Sequence, residues 1–367
     1  YLIFFRFKMN CAVIHKPRQL LVLKNRPIPE IPPIGLLIRT LYAGVCHSDI
    51  HFQDDKPDKG VVMGHEISGL IQAFGEDVQG SKSGLAIGDK VCIHPWIGCQ
   101  KCPLCKADKA NQCEHNPKGA MDIGQGPAGG FSNHVVVPHF KFAVKVPEAI
   151  PMDLAALIPC SGVTAYAALS KVKSAIEEAG KLYPFSRLLV IGVGGVGIWA
   201  VSIANSVFPY NTKIIAADLN KEKLHYALKI GASDTIPWSK DQSKEDLVAM
   251  TTASGKMDAV IDFVGSETTS HTGIYTLRKG GVYVPIGLFG GELQLPVSKI
   301  ISDSIKIEGS RTGNLRQLKA MLNLMEEKKV PYPPRGYYKL EEINNVMDNL
   351  RDCNVMFRAL IKFDVQA

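Results

Sequence analysis

No run of five or six lysines or arginines occurs anywhere in this 367-residue chain. Its 42 basic residues are scattered and the formal net charge is only +7, which argues against a nucleic-acid-binding arm. Such a mild positive bias suits a small anionic cofactor instead. A secretory signal is missing too: the apolar opening YLIFFRFK spans eight residues and has no small-residue cleavage site after it. Met9 is a candidate initiator, with residues 1–8 upstream of the folded chain. Internal repeats and low-complexity linkers are absent. Charged residues make up 21% against 46% apolar, the balance of a globular protein with a real core, and the length suggests two domains.

One uncharged run, Leu188–Val207, is long enough to cross a bilayer. Its β-branched part stops at Gly192, and glycines 192, 194, 195 and 197 follow. A buried strand, a tight turn and a buried helix explain that layout, so no membrane association is expected.

The nine cysteines are unevenly placed. Cys99, Cys102, Cys105 and Cys113 form a C-x2-C-x2-C-x7-C cluster. In a reducing cytosol, the expected location, clustered thiols bind metal more often than they pair. Four thiolates suit a tetrahedral Zn²⁺ and leave no position for water, so such a site is structural. Lys101, Lys106 and Lys109 partly offset its charge. An iron–sulfur cluster and two disulfides are the rival readings.

From Arg187 onward, apolar strands alternate with helical patterns. The strands are RLLVI (187–191), KIIAAD (213–218), DTIP (234–237), AVIDFV (259–264), VYVPIG (282–287) and SIKIEG (304–309). GIWAVSIANSV and KEKLHYALKIGA read as helices, the second ending at Gly231 as a C-terminal cap. This alternation predicts an α/β domain with a doubly wound parallel sheet. Before residue 160, short alternating strands (LLIRTLYAG, EISGLIQAFG, SNHVVVP) between glycine and proline clusters predict an antiparallel, barrel-like region. After residue 310, NLRQLKAMLNLMEE is an amphipathic helix and MFRALIKF a strand.

Gly192, Gly194 and Gly197 have G-x-G-x-x-G spacing between a buried strand and a helix, the context in which that motif holds a dinucleotide. Gly192 makes the turn, Gly194 admits the pyrophosphate, and Gly197 lets helix and strand approach. Gly195 and Val196 complete the loop at the helix N-terminus. Asp218 ends the next strand, where a carboxylate accepts ribose hydroxyls and repels a 2′-phosphate. NAD is therefore expected over NADP, with Lys223 on a ribose oxygen. A helix cap at Asp218 and a solvated Lys223 are the plain alternative.

GVCHSDIH (44–51), GHE (64–66) and PCSGVTAY (159–166) remain. With the cysteine cluster, the glycine loop and Asp218, they resemble the zinc-dependent alcohol dehydrogenases of the medium-chain dehydrogenase/reductase superfamily, from Met9 to nearly the end of the chain. The resemblance implies a GroES-like, mostly antiparallel β-barrel catalytic domain at 1–162 and 309–367 and a Rossmann NAD-binding domain at 163–308. It implies two zinc ions per chain. Cys46, His65 and Cys160 hold the catalytic one, with water or substrate oxygen as fourth ligand. Two thiolates and an imidazole cancel that ion's charge yet leave a Lewis acid with an open position.

By the same resemblance Asp49 holds the far nitrogen of His65, Ser48 takes the alcohol proton, His51 passes it to solvent, and Glu66 sits behind the metal. His47, Thr164, Ile286, Leu288 and Arg358 take cofactor-contact positions, and Trp96 resembles an aromatic of the substrate pocket. His94, His115, His134 and His139 match no catalytic position. The implied activity is reversible oxidation of a primary or secondary alcohol to an aldehyde or ketone. The polar loop Gln53–Lys59 keeps a polyol dehydrogenase open, and an inactive nucleotide-binding relative is the reading from another class. The short segment after Cys113 is similar to tetrameric rather than dimeric forms, so a homo-tetramer is expected.

Overall fold

The computed structural model describes residues 8–14, 19–55, 60–78, 83–116, 119, 121–126, 128–328 and 330–364. Residues 1–7, upstream of the candidate initiator Met9, lie outside the described residues. The chain divides into two compact units, one made of Tyr1–Val163, Gly313–Glu327 and Pro334–Ala367, the other of Thr164–Thr312 and Lys328–Pro333.

In the first unit, strands Lys8–Val13 and Val22–Pro27 form an antiparallel hairpin. A seven-stranded sheet follows, built on the ten-residue strand Leu36–Val45. That strand pairs antiparallel with Glu66–Phe74, His134–Val137 and Arg358–Lys362. Arg335–Tyr338 joins it parallel at the edge, so the sheet is largely, not wholly, antiparallel. The central strand is buried along most of its length because two apolar clusters share it. Leu36 and Ile38 pack with Ile67, Ile71, Val91, Ile93 and Phe142. Ala43 and Val45 pack with Ile50, Met63, Phe131 and Met347.

His94 follows the Lys90–Ile93 strand and is 1% exposed. Its N–H donates to Phe142 O at 2.8 Å and its Nε2 bonds Gly313 O at 3.2 Å, which pins the approach to the Leu315–Glu327 helix. Burial pulls its imidazole down to about 4, against the pull of Gly313 O. The unfolded chain therefore takes up a proton near pH 6.5 that the folded chain refuses until about pH 4. Folding stability should fall by about 3 kcal/mol across that window as pH is lowered. Urea unfolding at pH 7, 5.5 and 4.5 measures it. His94→Gln should flatten the dependence, and an unchanged slope would remove His94 as its source.

The second unit carries a six-stranded, all-parallel sheet in the spatial order Asp234–Pro237, Thr212–Asp218, Ser186–Ile191, Met257–Asp262, Leu277–Pro285, Lys306–Ile307. This is the 3-2-1-4-5-6 order of a doubly wound fold, whose direction of travel reverses between Ser186–Ile191 and Met257–Asp262. All six expected strands are present. The last shrinks to two residues because the Val297–Asp303 helix runs up to it and ends at Ser304 in a left-handed turn, φ 51°.

The apolar run Leu188–Val207 is a strand and the helix Gly197–Val207, not one continuous span. The one described helical stretch long and apolar enough to cross a membrane is Met152–Leu182, and 89% of its apolar window is buried inside the protein.

Candidate functional site

Cys46 is the single residue between the central strand Leu36–Val45 of the first unit and the helix His47–Asp55. Asp49 closes this junction: its N–H donates to Cys46 O at 3.0 Å, and its Oδ2 accepts the Cys46 N–H at 2.9 Å. The other oxygen, Oδ1, lies 3.0 Å from His65 Nδ1. This fixes the imidazole with its Nε2 directed at Cys160 Sγ, 3.2 Å away. Cys160 arrives on the π-helical turn Ile158–Gly162. Ligand atoms of Cys46, His65, Glu66 and Cys160 all lie within 4.8 Å of one another, and all four residues are buried. Trp96 packs on the two cysteines, with its ring centroid 5.6 Å from that of His65.

The Cys160 thiol, hydrogen-bonded to Cys46, and the His65 imidazole hold Cys46 well below the usual thiol value. Burial pulls His65 down, but Asp49 and Cys46 outweigh it and hold the imidazolium well above its usual value. A thiolate against an imidazolium is what a soft-donor metal site becomes when protons stand in for the ion. Burial pushes the Glu66 carboxyl up to about 7, against the pull of Arg358. Glu66 Oε2 is paired with Arg358, 5% exposed, while Glu66 Oε1 is buried without a hydrogen-bond partner. Two thiols, an imidazole and an orphaned carboxylate oxygen fit a divalent soft-to-borderline cation such as Zn²⁺.

Ser48 Oγ donates to Cys46 Sγ at 3.3 Å. His47 and His51 sit one turn apart with ring centroids 5.5 Å from each other. Burial, with His51 and Arg351 nearby, lowers His47 below the ordinary imidazole value. Of the polar loop after His51, residues 56–59 lie outside the described residues. Gln53 Nε2 donates to Gln19 O at 2.8 Å, and Asp54 takes a two-pronged bond from Arg351 at 2.7 and 2.9 Å. Those polar groups are occupied within the first unit.

The four-cysteine cluster is a separate lobe. Sγ atoms of Cys99 and Cys105, and of Cys102 and Cys113, are 3.9 Å apart. Thiolates at ~2.3 Å from one tetrahedral Zn²⁺ should be ~3.8 Å apart, whereas a disulfide needs ~2.05 Å. N–H groups of Lys101 and Cys102 point at Cys99 Sγ and lower that thiol to about 6. Lys141 holds the lobe at Gln100 Oε1, and two further anchors hold it elsewhere. Asp122 Oδ1 accepts the N–H of Ile97 at 2.8 Å and of Gly98 at 3.3 Å, and Arg316 bonds Asp108 Oδ2 and Ala107 O at 3.1 Å. Sequence spacing gave no hint of Asp122, because a lone aspartate beyond Cys113 carries no ligand pattern.

In the second unit, the Ser186–Ile191 strand leads through Gly192, φ 79°, to the Gly197–Val207 helix. A Cβ at Gly197 would lie 1.9 Å from Gly192 O, so only glycine fits there. A Cβ at Gly194 would meet nothing within 4 Å, which leaves its backbone open to approach. No side chain caps this helix; the N–H groups of Ile198 and Trp199 donate to Gly194 O at 3.1 Å and Val196 O at 3.0 Å. Asp218 reaches back into the loop, its Oδ2 accepting the Val193 N–H at 2.8 Å and its Oδ1 the Asn220 N–H at 2.8 Å. The helix carrying Lys223 is capped by Asn220, not Asp218, so a capping role does not account for that aspartate. Ile286 and Leu288 follow the Leu277–Pro285 strand, with Leu288 69% exposed, and Thr164 is buried at the start of the Val163–Leu182 helix.

Comparison with known proteins agrees with this layout. Residues 33–148 match the alcohol dehydrogenase GroES-like domain and residues 195–327 the zinc-binding dehydrogenase domain. An NAD-dependent alcohol dehydrogenase of Sulfolobus acidocaldarius is 33% identical over 365 residues, covering 96% of this chain and 99% of that protein. One of Sulfurisphaera tokodaii is equally similar, 33% over 365 residues, 96% of this chain and 99% of that protein. The crystal structure of the alcohol dehydrogenase of Aeropyrum pernix superposes with a TM-score of 0.83 at 29% identity, over 96% of this chain and 100% of that one. A Rossmann-like parallel sheet in one unit and a GroES-like unit with two soft-donor clusters define a medium-chain dehydrogenase/reductase of the zinc-binding type. This chain belongs to the zinc-dependent alcohol dehydrogenases of that superfamily.

Proposed function

We propose that this protein is an NAD-dependent zinc enzyme that interconverts a primary or secondary alcohol with its aldehyde or ketone. The observation that carries this is the convergence of Cys46, His65 and Cys160, from three distant segments, onto a common centre within 4.8 Å. Those three residues would hold the catalytic zinc, with Glu66 behind it, and Cys99, Cys102, Cys105 and Cys113 a second, structural zinc. When bound, the catalytic ion supplies the Lewis acidity that acidifies a hydroxyl, and NAD supplies the hydride acceptor.

The chain's own residues do the rest. Asp49 keeps the proton of His65 on Nδ1, which leaves Nε2 as a donor to metal. Ser48 Oγ, beside Cys46 Sγ, receives the substrate proton. His51, one turn along the same helix, releases it to water. On the cofactor side, the reading assigns the pyrophosphate to Gly192, Gly194, Gly195, Val196 and Gly197. It assigns the adenosine ribose to Asp218 and Lys223, and the nicotinamide to Thr164, Ile286 and Leu288.

Occupation of Gln53 by Gln19 O and of Asp54 by Arg351 supports simple alcohols over polyols. Two complete donor sets weigh against an inactive relative. The decisive experiment incubates zinc-loaded protein with NAD⁺ and a panel of ethanol, longer and branched alcohols, benzyl alcohol and sorbitol. Absence of NADH formation across the panel defeats the reading, and turnover of sorbitol alone moves it to a polyol dehydrogenase.

Asp218→Ala should raise KM for NAD⁺ about 10-fold and shrink the NAD⁺/NADP⁺ preference, because two accepted hydroxyl hydrogen bonds are lost together with the charge that repels a 2′-phosphate. Steady-state kinetics with both cofactors checks it. A cytoplasmic location is supported by six cysteines grouped as metal donors. The homo-tetramer reading is supported by exposed Val297, Ile301 and Ile307 beside the sheet's two-residue edge strand, and light scattering tests it.

A further inference from the structure

Asp262 ends the Met257–Asp262 strand, at the point where the parallel sheet reverses direction, and is fully buried. Its Oδ1 accepts the N–H of Val264 at 2.8 Å and of Gly265 at 3.0 Å. Its Oδ2 accepts the Tyr283 hydroxyl at 2.8 Å, and that hydroxyl is in turn bonded to Ser270 Oγ at 2.9 Å. The main-chain oxygen of Asp262 accepts two more N–H groups, Ile286 at 2.8 Å and Gly287 at 3.1 Å. One residue thus ties together the segment that follows it and the turn after the neighbouring strand.

That segment, Phe263–Gly265, is wedged between the two loops assigned to the cofactor. On one side it bears on the glycine loop. A methyl at Gly192 would come within 2.6 Å of Val264 Cγ2, and one at Gly197 within 3.1 Å of Phe263 Cδ2. On the other it bears on the Ile286–Leu288 turn. A methyl at Gly265 would come within 2.1 Å of Gly287 O, and Phe289 N–H donates to Val264 O at 3.1 Å. With clearances this tight, a shift of the wedge by a few tenths of an ångström moves both loops.

We infer that Asp262 is a positioning residue for the dinucleotide site: through the Tyr283–Ser270 network and the Val264–Gly265 amides it sets the spacing between the glycine loop and the Ile286–Leu288 turn. It touches neither cofactor nor substrate. The inference rests on the cofactor assignment proposed above.

The test uses the full zinc-loaded chain and NADH itself. Asp262→Ala should raise the NADH Kd, read by fluorescence titration, 10-fold or more, and KM for NAD⁺ in parallel. At saturating NAD⁺, kcat should stay within threefold, with two zinc ions per chain retained. Asp262→Asn keeps an acceptor for the two amides and should stay within threefold of the wild-type Kd. Tyr283→Phe, which removes one donor and keeps the ring, should raise Kd at least threefold and carries the test if Asp262→Ala does not fold. Amide hydrogen exchange on the cofactor-free protein should quicken at Val264, Gly265, Ile286 and Gly287 in Asp262→Ala, while Ile215 stays protected. The inference is overturned if the folded variants bind NADH like the wild type. It is also overturned if Asp262→Asn is as damaging as Asp262→Ala, or if kcat and zinc content fall along with affinity. A wild-type protein that binds no NADH would instead defeat the cofactor assignment, and the exchange pattern would still report whether Asp262 holds the two segments.

Discussion

Cys160→Ala is expected to lower kcat by about 10³-fold or more and to reduce bound zinc from two ions per chain to one. Cys160 supplies a sulfur that no neighbour can replace. Its π-turn brings Sγ to 3.2 Å from His65 Nε2, and with it gone the donors left are Cys46, His65 and the one Glu66 oxygen that Arg358 does not hold, a harder donor than the lost sulfur. A three-ligand site reduced to two loses the Lewis acid, and losing that ion removes several kcal/mol of charge stabilisation from the reacting oxygen. The fold should survive, because removing one buried sulfur from the small Cys46–Trp96–Cys160 cluster costs on the order of 1 kcal/mol. Metal analysis, steady-state kinetics and a thermal melt on one preparation separate these effects. A variant with two zinc ions and more than a tenth of the wild-type rate would show that Cys160 is not a ligand.

The distance between what the chain spells out and what only the fold reveals is clearest at this centre. Cys99 to Cys113 can be read as a metal site from spacing, because the lobe is local and its sulfurs meet without help from the rest of the chain. The glycine loop and the six strands of the second unit are legible for the same reason: an apolar run, a turn and a helix each leave a local pattern. Cys46, His65 and Cys160 leave none. Cys160 lies 95 residues beyond His65, and only the pairing of Leu36–Val45 with Glu66–Phe74 and the π-turn at Ile158–Gly162 bring them together. Resemblance to a family supplied that grouping, not periodicity. The helix His47–Asp55 was equally silent, since its polar residues give it no apolar stripe. So was the return of Lys328–Pro333 to the second unit, where Pro331 O and Tyr332 O accept bonds from Ser202 and Tyr226. Asp262 reads in the sequence as the end of an apolar strand, and its role exists only through partners two to twenty-five residues away.

Cys102→Ser should produce the second large effect, on stability rather than chemistry: a fall in Tm of roughly 10 °C and, again, one zinc ion per chain in place of two. Apart from the four-residue helix Pro103–Lys106 and the turn Ala110–Gln112, the lobe has no regular structure to hold it. Its backbone is organised around sulfur, with the N–H groups of Cys99, Lys101, Cys102 and Cys105 each aimed at a cysteine Sγ. Without the ion the sulfurs take up protons and become weaker acceptors for those donors, and an ordered loop of this length costs ~1–2 kcal/mol per residue in backbone entropy. The Asp122 and Arg316 anchors and the Lys141–Gln100 hydrogen bond then remain, and the Arg316–Asp108 pair is exposed enough to contribute under about 1 kcal/mol. Limited proteolysis should cut between Cys99 and Cys113 in the variant and not in the wild type. Because Cys46, His65 and Cys160 belong to other segments, kcat measured well below the new Tm should remain within about threefold of wild type. The opposite pattern, a normal melt with lost turnover, would mean that the four-cysteine lobe serves the reaction and not the fold.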